Sequence, residues 1–144
     1  PEQRKLFQVP RPAGKNDEAT PSIASVTASP AHLAAWREVF AKPIAGGPTT
    51  RGFDTYFGTD IPNWPPFCFI ENDRTVGIPN RLLPAEELRR DYSIAAAQGP
   101  AHDEWKFVEM MPVMAKRACD FITRAAENNQ PFLLYLALPA PHQP

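Results

Sequence analysis

Histidine and cysteine are the side chains here whose placement could carry chemistry. His142 stands in Pro139-Ala140-Pro141-His142-Gln143-Pro144, directly after the apolar run of residues 132–138. The prolines hold that loop extended and restrict where the imidazole can point. A histidine so placed can give a proton or a hydrogen bond to a leaving group. A lone loop histidine is more often a surface residue, so its spacing alone does not assign it. His32 and His102 lie in helix and loop contexts without evident partners and are read as structural. Cys68 and Cys119 have no C-x-x-C spacing and no nearby histidine pair. A zinc site therefore has little basis, and the pair could form one disulfide at most. Two buried thiols are the plainer expectation.

The elements that would position these groups follow from periodicity. Ser29 and Pro30 provide an N-cap and a first-turn proline for a helix running to about Lys42, where Pro43 stops it. Leu33, Trp36, Val39 and Phe40 make one apolar stripe along it. Residues 53–58 (FDTYFG) alternate aromatic and polar positions like a half-buried strand, and residues 67–71 (FCFIE) read as a second. PAEELRRDY, from about Pro84 to Tyr92, is helical, with proline and acids in its first turn. Phe107, Met111, Met114, Ala118, Phe121, Ile122 and Ala125 fall on one helical face between Trp105 and Asn128. Pro112 should divide this stretch into a short turn and a main helix. The methionines on that face are core packing rather than a metal or cofactor site.

Residues 131–138 (PFLLYLAL) are continuously apolar, as expected of a strand buried on both faces at the centre of a parallel sheet. A helix, a short loop and a buried strand make half of a βαβ unit, so the fold class expected is α/β. In such sheets ligands bind beyond the carboxyl ends of strands, which is where this run delivers His142.

Composition narrows the partners. Fifteen Lys and Arg against 16 Asp and Glu leave a net charge of −1, with no basic stripe for nucleic acid. No apolar run approaches the ~20 residues needed to span a bilayer. Neither nucleic acid nor membrane is therefore an expected partner. Eighteen prolines confine long regular elements to a few windows. Residues 1–30 form a Pro/Ala/Ser-rich irregular segment, and residues 31–144 hold the patterned region. The chain opens on Pro1 and stops just after His142, so it is expected to be an internal piece of a longer protein.

Residues 131–144 (PFLLYLALPAPHQP) resemble the sulfatase pattern in which a buried strand ends in a Pro-His-x-Pro turn. Residues 34–79 resemble the middle of an arylsulfatase-type catalytic domain, where a Gly-Phe-Asp segment leads through a Phe-Gly strand end into a Pro-rich, substrate-facing loop. Here those residues are Gly52-Phe53-Asp54 and Phe57-Gly58. The two motifs occur in family order with a helix of suitable length between them, and the resemblance covers about residues 31–144.

That resemblance implies a partial alkaline phosphatase-like sandwich, a mixed and mostly parallel sheet flanked by helices. It implies a sulfuric ester hydrolase in which a formylglycine made from cysteine or serine attacks sulfur. A divalent cation, usually Ca2+, and cationic side chains would stabilise charge on the sulfate oxygens. His142 matches the histidine that contacts the sulfate or leaving oxygen. Asp60 and Asn63 are candidates for a polar residue near the active centre, with Asn63 preferred for substrate binding; an asparagine beside Pro62 also caps turns. Residues 59–82 would help shape the pocket for a small-molecule or carbohydrate sulfate ester. Members of the family are periplasmic, secreted or lysosomal.

The departures are specific. Neither cysteine lies in C-x-P-S-R or C-x-A-x-R, so the formylglycine is not in this chain. The paired metal-binding aspartates, the G-K-W-H-L-G stretch and the later Asp-Asn ligands are also missing, so no metal ligand is assigned here and the isolated chain is expected to be inactive. A phosphonate or phosphodiester hydrolase of the same superfamily remains an alternative. So does a non-catalytic pseudoenzyme or binding module displaying Trp64, Phe67 and Phe69.

Overall fold

The computed structural model describes residues 28–92 and 97–140. Most of residues 1–30, and His142, lie outside that set. Helix and strand are mixed: three helices and five short strands among the described residues, the strands in two small antiparallel sheets. The chain divides into two compact units at Trp105/Lys106.

In the first unit, helix α1 (Pro30–Phe40) begins as its sequence dictates. The Ser29 side chain accepts from the His32 backbone N–H at 3.2 Å, satisfying a donor that the first turn would leave orphaned. Trp36 and Phe40 are buried, while Leu33 and Val39 are half-buried. After a 3-10 turn (Pro48–Thr50) comes β1 (Phe57–Gly58), which pairs antiparallel with β2 (Ile70–Glu71). The expected strand over 53–58 is thus reduced to its last two residues, because only these find ladder partners. Strand β3 (Arg74–Thr75) returns from β2 through Asn72 and Asp73, with Asn72 at φ 56°. Asparagine tolerates that left-handed conformation, which a two-residue hairpin turn needs. Asn72 also closes the sheet: its N–H donates to the Tyr56 carbonyl at 2.8 Å and its Oδ1 accepts from the Tyr56 N–H at 3.0 Å. Arg74 and Thr75 donate from their side chains to the Ala41 and Phe40 carbonyls, which ties β3 to the end of α1.

Strand β4 (Arg81–Leu83) leads into α2 (Ala85–Tyr92), which carries Glu86 and Glu87 in its first turn. Strand β5 (Gly99–Ala101) pairs antiparallel with β4. A single parallel bridge, Phe67 to Ala101, joins the loop before β2 to β5. Phe67, Cys68, Leu83, Leu88, Ala101 and Trp105 are buried. Phe69 stacks between Phe57 and Trp105, with ring centroids 5.1 Å from each.

The second unit holds α3 (Phe107–Glu127), one unbroken helix with Pro112 inside it. The expected division at Pro112 does not occur. Proline there removes only the bond to the Val108 carbonyl, and Pro112 itself is exposed, so the helix carries one defect near its start. Its buried side chains are Met110, Met114, Ala118 and Ala125. The stripe is therefore turned from the expected one, with Met110 rather than Met111 inside and Ile122 exposed. Asn129, at φ 48°, ends the helix.

Residues 131–139 then form no ladder, and their large side chains, apart from the half-buried Leu134, are exposed, contrary to the expected strand buried on both faces. A strand draws its burial from neighbours on either edge, and among the described residues the five strands pair only with one another. Leu133 is 81 % and Tyr135 77 % exposed; Phe132 meets Phe121 edge-on at 5.3 Å.

Candidate functional site

The loop joining β1 to β2 is the place where expected site residues can be located. Its entry is fixed by Tyr56, whose hydroxyl donates to the Thr59 carbonyl at 2.8 Å. Its turn is closed by the Trp64 N–H donating to the Ile61 carbonyl at 3.1 Å. Pro65–Pro66 is a cis peptide, and Pro65 lies so close to Gly99 that a Cβ there would collide with its ring. Phe67 then donates its N–H to the Pro100 carbonyl at 2.9 Å and buries its ring.

Asn63 sits inside this turn, half-buried, next to Trp64, which is 54 % exposed. Asp60 is exposed. Burial, and secondarily the charge of Asp60, raise the ionisation of the Tyr56 phenol above its ordinary range. The same two causes, burial first, push the Cys68 thiol up to about 12. Cys68 is accordingly a protonated, buried packing group. Cys119 is exposed, which corrects the expectation of two buried thiols: the face of α3 that carries it is not the buried one. Both thiols are free.

The loop offers an amide, a carboxylate and an indole to whatever approaches it. No Lys, Arg or His occurs between Arg51 and Arg74. It can therefore orient the neutral part of a ligand by hydrogen bonding and stacking, but supplies no cation for an anionic group. The three-aromatic surface weighed for a binding module is not formed. Phe67 is buried and Phe69 is committed to its ring stack, leaving Trp64 alone exposed.

The structural reading of the other histidines fits what they touch. The His32 ring lies 2.9 Å from the Ser29 hydroxyl, within the α1 cap. The His102 ring packs over Gly77, and its Nδ1 accepts a long contact of 3.4 Å from the Glu104 N–H. Asn80 donates to the Asp103 carboxylate beside it. Among the described residues no three of His, Cys, Asp and Glu converge as a metal ion would need, so they do not fit a calcium site. The described helices include none long and apolar enough to cross a membrane. Comparison with protein-family models, with curated proteins and with solved structures finds no match to this chain.

Proposed function

We propose that the chain is a segment of the catalytic domain of a sulfatase-type hydrolase of sulfate esters. The observation that carries the reading is the order of two separated motifs: Gly52-Phe53-Asp54 with Phe57-Gly58, and then an apolar run ending in Pro141-His142-Gln143-Pro144. In this reading residues 132–138 are a strand of a mostly parallel, alkaline phosphatase-like sheet, and His142 stands at its carboxyl end as a hydrogen-bond or proton donor to the ester oxygen. Asn63, held in its turn beside the exposed Trp64, contacts the organic part of a small-molecule or carbohydrate ester. The formylglycine nucleophile and Ca2+ belong to other parts of the parent, which would be periplasmic, secreted or lysosomal.

The test is the coding sequence on either side. A C-x-P-S-R or C-x-A-x-R motif upstream and an Asp-Asn pair downstream support the reading. An intact reading frame without a modifiable cysteine or serine withdraws it, in favour of a phosphatase-like relative or a pseudoenzyme. The purified chain alone is expected to release no sulfate from an aryl sulfate; turnover by it would refute the placement of the nucleophile elsewhere.

A further inference from the structure

The β1–β2 loop is fixed at its exit by β5, far along the chain. The Phe67 N–H donates to the Pro100 carbonyl and the Phe67 carbonyl accepts from the His102 N–H, both at 2.9 Å, so Phe67 lies in parallel register with Ala101 of β5. Two residues earlier on each side, Pro65 meets Gly99. A glycine within a strand often marks a place where another backbone comes closer than a side chain would allow. Here the Cβ and Cγ of the Pro65 ring occupy the space that a Cβ on Gly99 would need. Gly99 is buried and its neighbour is a rigid ring, so no flexible side-chain end can swing aside. At the loop entry the demand is smaller: a Cβ on Gly58 would meet the hydroxyl end of Tyr56, which can rotate.

We infer that Gly99 is a positioning residue for Asn63 and Trp64, setting how closely their turn approaches β5. The outcome of adding a side chain at this position depends on which partner yields. Strand β5 pairs with β4 along its whole length, with Leu83 opposite Gly99, and Gly99, Pro100 and Ala101 are all buried. Pro65 and Pro66 are only half-buried, and the turn before them is closed by the backbone bond from Trp64 to Ile61. A side chain at position 99 therefore displaces the loop rather than the sheet. Proline passes that displacement on, because its ring fixes its own φ and restricts the backbone of Trp64 to extended conformations. Trp64 and Asn63, the two residues before the ring, move with it. The effect of that movement on ester binding rests on the sulfatase reading, whereas the packing that causes it does not.

Nuclear magnetic resonance of the isotopically labelled 144-residue chain tests this through the Trp64 indole and Asn63 side-chain amide signals. Each is assigned by its loss, in Trp64→Phe and Asn63→Asp respectively. Gly99→Ala should shift both signals, while the indole of Trp36, buried on α1, stays in place. In a Pro65→Gly background, where the ring is gone, adding Gly99→Ala should shift neither signal further. Where Gly99→Ala alone fails to fold, the double variant decides: it should fold and match Pro65→Gly at both signals. Signals unmoved by Gly99→Ala, a Trp36 shift as large as that of Trp64, or an equal shift with the ring removed would each overturn the inference. So would a double variant that stays unfolded while Pro65→Gly folds. Failure here leaves the sulfatase reading standing, and flanking sequence without the sulfatase motifs would leave the role of Gly99 standing.

Discussion

Cys68 and Cys119 show how little a residue's type says without its surroundings. A thiol reacts as its thiolate, and burial holds Cys68 protonated far above neutral pH. Native protein at mild alkaline pH should therefore react with one equivalent of a thiol reagent quickly and with a second at least ~100-fold more slowly, the two rates merging in denaturant. The same shift has a stability consequence. A thiol whose folded ionisation lies above its unfolded value of 9.0 contributes stability that is complete below that pH and lost as pH climbs towards about 12. Tyr56, raised for the same reason, acts in the same direction. Gly77 is the second residue to test. It holds φ 73°, and a Cβ there would strike the His102 imidazole. Gly77→Ala should cost about 2–3 kcal/mol, measured by denaturant unfolding. Adding His102→Ala should recover the steric part and leave the backbone strain. Gly52→Ala, at φ 97° with open space around it, should show the strain alone.

At the scale of elements, α3 is the place to intervene. Pro112 leaves the Val108 carbonyl without its helical partner, and interior proline costs about 3 kcal/mol relative to alanine. Because Pro112 is exposed, Pro112→Ala should raise the stability of the second unit by about 1–3 kcal/mol and increase helical circular dichroism. Elements whose ends are written in local chemistry were legible from sequence: α1 through Ser29 and Pro30, and α2 through Pro84 and its early acids. The β2–β3 hairpin was missed, although Asn72-Asp73 between Glu71 and Arg74 is a turn signal. Strands β4 and β5 gave no usable signal, since Arg81–Leu83 is three residues long and Gly99–Ala101 contains a proline. Their pairing is a tertiary fact. The candidate site was legible only as residue types. That Asn63 is half-buried in a turn and that Trp64 alone among the loop aromatics faces solvent depend on how Pro65, Gly99 and Phe67 pack together.

Over the whole molecule, near-neutral charge and uncovered apolar surface act together. The net charge is −1 at pH 7 and the isoelectric point is about 6.4, so repulsion between copies is weak under ordinary conditions. Lys42–Glu38, Arg89–Glu86, Lys106–Glu109 and Lys116–Asp120 each have at least one well-exposed partner, so these ion pairs add little to stability. Light scattering should rise as pH approaches 6.4 and fall by pH 9, where net negative charge separates copies, while Leu133→Glu should flatten that dependence. A profile centred elsewhere would show that charge does not govern association. An apolar run without alternation says that a strand wants cover on both faces. Which chain supplies the cover is not encoded in the run, and this is why its burial could not be read from sequence.

The unpaired run between α3 and the final prolines also has a consequence for how the chain is degraded. A protease needs several residues of backbone free of ladder bonds, and one that cuts after aromatic residues finds them at Tyr135, with Leu136 following rather than a proline. Limited digestion should cut within this run, after Phe132 or Tyr135, releasing a short peptide that carries His142.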